Sequence, residues 1–182
     1  MATELAPELK ELLEKQAIAE LVLNYSRAVD RQDLKLLRSL YTRDGIDDHG
    51  GLYCGSADGF VAWLETAMKG VETMHQVHNH LIAVHGDTAE GEAYLTTYNR
   101  IPDGKGGFNE FLQGLRYLDN YRKEDGRWRF ARRTVTLDWA QHRPALWDFE
   151  HPLLKGKRPG RPDASDPSYE MLPSPTFARV KG

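Results

Sequence analysis

Past residue 72 the spacing of apolar side chains changes from steps of three and four to steps of two. This change of period limits the fold more than any single motif. Four strand-length runs follow, at roughly 73–85, 88–101, 108–123 and 127–138. His85-Gly86-Asp87 and Lys123-Glu124-Asp125-Gly126 are hairpin signals between members of the series. Pro102-Asp103-Gly104-Lys105-Gly106-Gly107 is a longer, glycine-rich connection, expected to form a flap.

The first 70 residues carry the helical period instead. Over 8–29, Leu9, Leu12 and Leu13 form a cluster, and Ile18, Leu21, Val22, Tyr25 and Val29 continue a stripe expected to face the core. Asp30 ends that stripe, and Asp33 suits the N-cap of a second short helix marked by Leu34, Leu37, Leu40 and Tyr41. Thr42-Arg43-Asp44-Gly45 reads as a break, and 46–55 as a polar strand or extended loop containing Asp47, Asp48, His49 and Tyr53. Ser56 is the expected N-cap of a third helix running to about Lys69 and closed by Gly70. Helices first and antiparallel strands afterwards argue an α+β domain, with helices on one face of a curved sheet.

Residues 140–182 hold seven of the nine prolines and no periodic pattern. They are expected to form an irregular extension of a core domain at 1–139, tied down through Leu146, Trp147 and Phe149 on its own domain or on a neighbouring subunit. At 182 residues one domain suffices. A net charge of −3 offers no basic face for nucleic acid, and no apolar run of bilayer-spanning length occurs. Cys54 is the single cysteine, which excludes an intramolecular disulfide and fits a reducing, cytoplasmic setting.

Within the first strand, Glu72–Val84 carries His75, His78 and His80 among β-branched neighbours. A titratable group in a buried strand is costly unless partnered, so at least one of these needs a reason. Strict alternation places His75, Val77, Asn79 and Leu81 on one face, and His78, His80 and Ile82 on the other. His75 with Asn79 then supplies an acid/base and an amide together, while His78 and His80 suit a structural role. His78-Asn79-His80 also puts two imidazoles on one face, the rival reading as a metal site, but no carboxylate follows before Asp87. Alternation on the last strand groups Trp128, Phe130 and Arg132 against Arg129, Ala131 and Arg133. No GxSxG, P-loop or dinucleotide glycine fingerprint occurs, and no cofactor is expected.

Several stretches together resemble the SnoaL-like branch of the nuclear transport factor 2-like superfamily, over about residues 10–138. They are Ala17–Leu21 running into Tyr25-Ser26-Arg27-Ala28-Val29-Asp30, Thr73-Met74-His75 through Asn79, Gly86-Asp87-Thr88-Ala89, and Gly126-Arg127-Trp128-Arg129-Phe130. The resemblance implies a cone-shaped α+β barrel whose helices pack on a curved, mixed or antiparallel sheet. Enzymes of this branch, among them scytalone dehydratase, bile acid 7α-dehydratase and hexachlorocyclohexane dehydrochlorinase, use a metal-free His–Asp dyad for eliminations. By position it implies His75 as base, Asp30 as its partner, Tyr25 as a further catalytic group and Arg133 as a polarising group. Asn79, Tyr53 and Tyr98 join Arg133 as expected substrate contacts. The second pocket histidine of scytalone dehydratase has no counterpart in Thr88–Arg100, where Tyr94, Thr96 and Tyr98 stand instead. The implied function is a cofactor-independent lyase, most directly a dehydratase acting on a hydroxylated aromatic, polyketide or steroid-like small molecule. The alternatives are a C–C lyase or isomerase with the same dyad, or a non-catalytic ligand-binding or dioxygenase small-subunit-like scaffold. A homodimer or homotrimer is expected.

Overall fold

The computed structural model describes residues 6–147 and 151–180. Helix α1, Pro7–Asp30, begins on a proline, whose fixed φ suits a first turn. It buries Ile18, Leu21, Val22, Tyr25, Ala28 and Val29. Leu9, Leu12 and Leu13, expected to continue that stripe, are exposed at 43, 62 and 51 %. The helix is first tied to the sheet only at Glu14, which accepts from Lys123 Nζ at 2.6 Å and Trp128 Nε1 at 2.5 Å. Helix α2, Leu34–Ser39, is capped by Asp33, which accepts from the Leu36 N–H at 3.2 Å. Helix α3, Ala57–Ala67, is capped by Ser56, which accepts from the Gly59 N–H at 3.2 Å.

Six strands form one sheet: β1 Tyr41–Asp48, β2 Cys54–Ser56, β3 Glu72–His85, β4 Thr88–Pro102, β5 Phe108–Glu124 and β6 Arg127–Pro144. Their order is β2-β1-β6-β5-β4-β3, so β2 and β3 are the edges. Every pairing is antiparallel except β1 with β6, which is parallel. The sheet is therefore mixed. Two boundaries differ from the sequence reading. Strand β6 runs on to Pro144, because residues 139–144 continue the ladder with β5. The expected break at Thr42–Gly45 is instead an irregularity inside β1, where the register against β6 slips between Tyr41 and Ile46. Glycine is needed there: a Cβ at Gly45 would lie 3.0 Å from Tyr41 Cβ and 3.1 Å from the Phe130 carbonyl oxygen.

The core lies between α1 and the inner face of the sheet. Ile18, Val22, Tyr25, Leu37, Tyr41, Phe60, Tyr117, Tyr121 and Phe130 are all at most 1 % exposed. Each aliphatic side chain buried this way contributes about 1.5–3 kcal/mol.

Bulges decide which residues face that core. On β3, Val77 pairs with Leu95 but His80 pairs with Ala93, so His78 and Asn79 together stand opposite Tyr94 alone. Inward-facing residues are therefore His75 and Val77, then His80, Ile82 and Val84. His78 and Asn79 are both exposed. This corrects the expected face of Asn79 and of His80, and it separates His78 from His80 as well. On β6, Asn120 pairs with Arg132 and Tyr121 with Phe130, so Ala131 is the extra residue. Arg133 consequently shares the inward face of Trp128 and Phe130, which alternation had assigned to Arg132.

The C-terminal segment packs on its own chain. Arg27 donates to the Ser168 hydroxyl at 3.2 Å and the Phe177 carbonyl at 2.9 Å, and its guanidinium covers the rings of Tyr169 and Phe177. Arg179 donates to the carbonyls of Arg31 and Gln32, and the Val180 N–H to Asp33. Phe149, expected to help anchor this segment, lies outside the described residues.

Candidate active site

Asp30 is the last residue of α1. The negative end of the helix dipole there disfavours a carboxylate, so its charge needs donors. Three are supplied by the start of β3. The Thr73 hydroxyl donates to Oδ1 at 2.7 Å, the His75 backbone N–H to Oδ2 at 3.0 Å, and His75 Nδ1 lies 2.6 Å from Oδ1. Because β3 is an edge strand, Asp30 also satisfies a backbone donor that no neighbouring strand would take. The two side chains are 13 % and 10 % exposed. A carboxylate can only accept from Nδ1–H, which leaves Nε2 with its lone pair as the basic nitrogen. No hydrogen bond engages Nε2 among the described residues.

Around His75 the strand register builds two parallel rows on the inner face. His75, Thr97, Gln113 and Ala140 form a polar row by direct cross-strand pairing. Val77, Leu95, Leu115 and Leu137 form an apolar row beside it. Thr97 and Gln113, with Asn99 nearby, are residues that sequence reasoning did not single out. Their signal was only the alternation of β4 and β5 in register with His75, which needs the pairing to be known.

Deeper in the cone lies a buried charge. Arg133 is fully buried and grips Asp119 through Nε and Nη2 at 2.8 and 2.7 Å. Its guanidinium carbon lies 4.0, 3.8 and 4.1 Å from the ring centres of Tyr25, Tyr117 and Phe130. Burial works against the arginine charge, but Asp119 more than offsets it and holds the pKa well above the ordinary value. Arg133 Nη1 and the Tyr117 hydroxyl are buried without a hydrogen-bond partner among the described residues. Burial, reinforced by the Asp47 charge, pushes the Tyr25 phenol well up, against the opposing pull of Arg133. Tyr25 therefore stays protonated. Its ring is part of the core, and no hydrogen bond joins it to His75 or Asp30 among the described residues.

His80 reaches the same network from the other bulge-shifted position. The Tyr121 hydroxyl donates to Asp119 at 2.8 Å, so His80 Nε2–H donates to the Tyr121 oxygen at 3.3 Å. Burial lowers the pKa of His80. A second histidine–carboxylate contact joins His49 Nδ1 to the fully buried Asp47 at 2.5 Å, with Tyr41 donating to the other oxygen.

The remaining expected site residues lie elsewhere. Tyr53 packs on Phe60 and Trp63 and donates to the Ser56 carbonyl at 2.7 Å. Tyr98 is on the outer face, donating to Glu110 at 2.7 Å and accepting from Trp147 Nε1 at 2.5 Å. It does line a cleft of about 410 Å³ that reaches round the sheet edge to Asp30, with Arg100, Trp147 and the 159–162 segment. Asn79 is exposed. The structure thus brings Asp30, Thr73 and His75 together, holds Tyr25 with Arg133, sets Asn79 and Tyr53 apart from both groups, and links Tyr98 to Asp30 and Thr73 through that cleft. Among the described residues, no group of three or more His, Cys, Asp and Glu side chains is arranged to hold a metal ion. No described helix is long and apolar enough to cross a membrane.

A family profile described as SnoaL-like domain matches residues 10–134, more than two-thirds of the chain. The chain belongs to the SnoaL-like domain family. No curated protein matches it. Solved structures share the fold at low identity. A protein of unknown function from Mycobacterium tuberculosis is 22 % identical, with a TM-score of 0.65 over 75 % of this chain and 78 % of that one. A candidate scytalone dehydratase from Novosphingobium aromaticivorans is 21 % identical, with a TM-score of 0.64 over 72 % and 88 %. A hexachlorocyclohexane dehydrochlorinase, LinA-type3 from Novosphingobium barchaimii, is 18 % identical, with a TM-score of 0.64 over 76 % and 94 %.

Proposed function

We propose that this SnoaL-like protein is a cofactor-independent lyase in which His75, oriented by Asp30, moves the proton. The observation that carries this reading is the 2.6 Å contact between His75 Nδ1 and a carboxylate already held by two further donors. A histidine titrates near neutrality, so Nε2 can take a proton from carbon and give it back. Asp30 fixes the tautomer and stabilises the imidazolium that forms.

Dehydration of a hydroxylated ring compound fits this equipment best. Nε2 removes a proton from the carbon next to a carbonyl, and the electron pair of that C–H bond becomes the new double bond. The β-hydroxyl leaves and takes the same proton from the imidazolium, so water departs and the enzyme returns to its starting state. Positioned proton transfer of this kind supplies about 10²–10⁴-fold, and orientation and electrostatics must supply the rest. Relatives named for loss of water and of hydrogen chloride support an elimination. Loss of a small aldehyde fragment or an isomerisation would use the same proton transfer. The uncovered outer-face residues Leu81, Leu118 and Trp139 are where a second copy would pair, and a strictly monomeric sedimentation profile would contradict that part.

The test is turnover of a panel of aromatic and steroid β-hydroxy ketones, followed by the absorbance of the conjugated product. His75→Ala should abolish it with the fold intact by circular dichroism. Near-normal turnover by that variant overturns the reading, and unaltered ligands with the native protein would favour a binding scaffold.

A further inference from the structure

We infer that Gln113, held by Thr97 and Asn99, is the donor that recognises the substrate's carbonyl oxygen beside His75. This rests on the reading of His75 as the base, and adds the residue that sets specificity for an acceptor oxygen. Gln113 takes part in a closed set of hydrogen bonds with Thr97 and Asn99. Asn99 Nδ2 donates to the Thr97 hydroxyl at 3.2 Å and to Gln113 Oε1 at 3.1 Å. The Thr97 hydroxyl donates onward to Gln113 Oε1 at 3.3 Å. An amide oxygen offers two acceptor sites, and both are used, so the Gln113 NH₂ must face away from the network. It is engaged by no hydrogen bond among the described residues, and neither is the Asn99 amide oxygen.

The register places this donor where the chemistry needs one. His75 pairs directly with Thr97, and Thr97 with Gln113, all on the inner face. His75 and Gln113 are therefore two strand spacings apart, roughly 9–10 Å between backbones. Their side chains stand on the same face of the sheet, on either side of that gap. The space suits a group whose α-carbon meets His75 Nε2 while its carbonyl oxygen meets the Gln113 NH₂. The adjacent row of Val77, Leu95, Leu115 and Leu137 offers the apolar bed for the ring. When the α-proton leaves, charge develops on that oxygen, and a fixed donor stabilises it. The free Asn99 oxygen supplies the complementary acceptor for a substrate hydroxyl. Thr97 is only 1 % exposed, which holds the set in place.

The experiment separates recognition from catalysis by using a ketone and its carbonyl-free analogue, 1-tetralone and tetralin, in calorimetric titrations. The native protein should bind 1-tetralone more tightly than tetralin. Gln113→Leu should weaken 1-tetralone about tenfold, the scale of one lost hydrogen bond, and leave tetralin almost unchanged. Gln113→Glu keeps the volume and the two acceptor contacts but presents an anion to the carbonyl, so it should weaken the ketone further. It serves as the folded control should Leu disturb the core. Equal affinity for ketone and hydrocarbon in the native protein, no binding of either, or ketone affinity unchanged in both variants overturns the assignment. Failure of the catalytic reading looks different. His75→Ala would then turn over substrate normally while the ketone preference and its loss in the Gln113 variants persisted.

Discussion

His75 and His80 stand five residues apart on one strand yet point to the same side of the sheet, because β3 carries one extra residue between Val77 and His80. An odd separation would put them on opposite faces of a regular strand. The bulge therefore brings a second imidazole to the interior and sends Asn79 to the surface. Bulges near sites act this way, re-aiming a side chain without changing the strands on either side.

A direct consequence concerns Asn79. Its exposed side chain makes no hydrogen bond among the described residues, so Asn79→Ala should leave turnover unaltered and shift stability by no more than about 0.5 kcal/mol. Urea denaturation and steady-state kinetics check both halves. A tenfold fall in kcat/KM would return Asn79 to the site.

The donors around Asp30 make graded expectations for activity. Asp30→Asn removes the charge that stabilises the imidazolium and should cost about 10²–10⁴-fold in kcat. Thr73→Val removes one of three donors to that carboxylate and should cost much less, about tenfold. Equal losses from the two variants would mean that the hydroxyl itself contacts substrate.

Arg133 and Asp119 form a fully buried ion pair. Removing one partner leaves an uncompensated charge in the core, so Asp119→Ala should destabilise by about 3–5 kcal/mol. Replacing both, as Arg133→Met with Asp119→Leu, should cost clearly less, because no charge is left behind. Denaturant midpoints of Arg133→Met, Asp119→Leu, the double variant and the native protein form the double-mutant cycle that measures this.

His80 predicts a pH dependence. Its pKa is lowered by burial, so the unfolded chain binds its proton more readily than the folded one. Its contribution to stability is therefore fully present above the ordinary histidine value of about 6.5 and is lost as pH falls through the lower folded value. The native protein should lose thermal stability as the pH drops through this range, and His80→Gln should flatten that part of the profile. A profile unchanged by the substitution would show that another group dominates.

Much of this molecule was legible in one dimension. The helical stripe from Ile18 to Val29, the caps at Asp33 and Ser56, the four long strands and their hairpin turns all follow from local physics: side-chain period, capping chemistry and turn residues. His75 stood out because an ionisable group in a strand needs a partner, and the family resemblance pointed to Asp30, at the end of the amphipathic helix, as that partner. Their 2.6 Å contact, by contrast, depends on α1 crossing the start of β3.

Tertiary structure decided the rest, and the reason is the same at each site. The face a strand residue takes depends on how many residues its partner strand spends opposite it, which no single strand encodes. The extra residues on β3 and β6 turned His80 and Arg133 inward and Asn79 outward. Thr97 came beside His75, and Gln113 beyond it on the same face, only once β3, β4 and β5 paired in register. Local sequence determined the elements that carry His75 and Asp30; the pairing between strands determined what surrounds them.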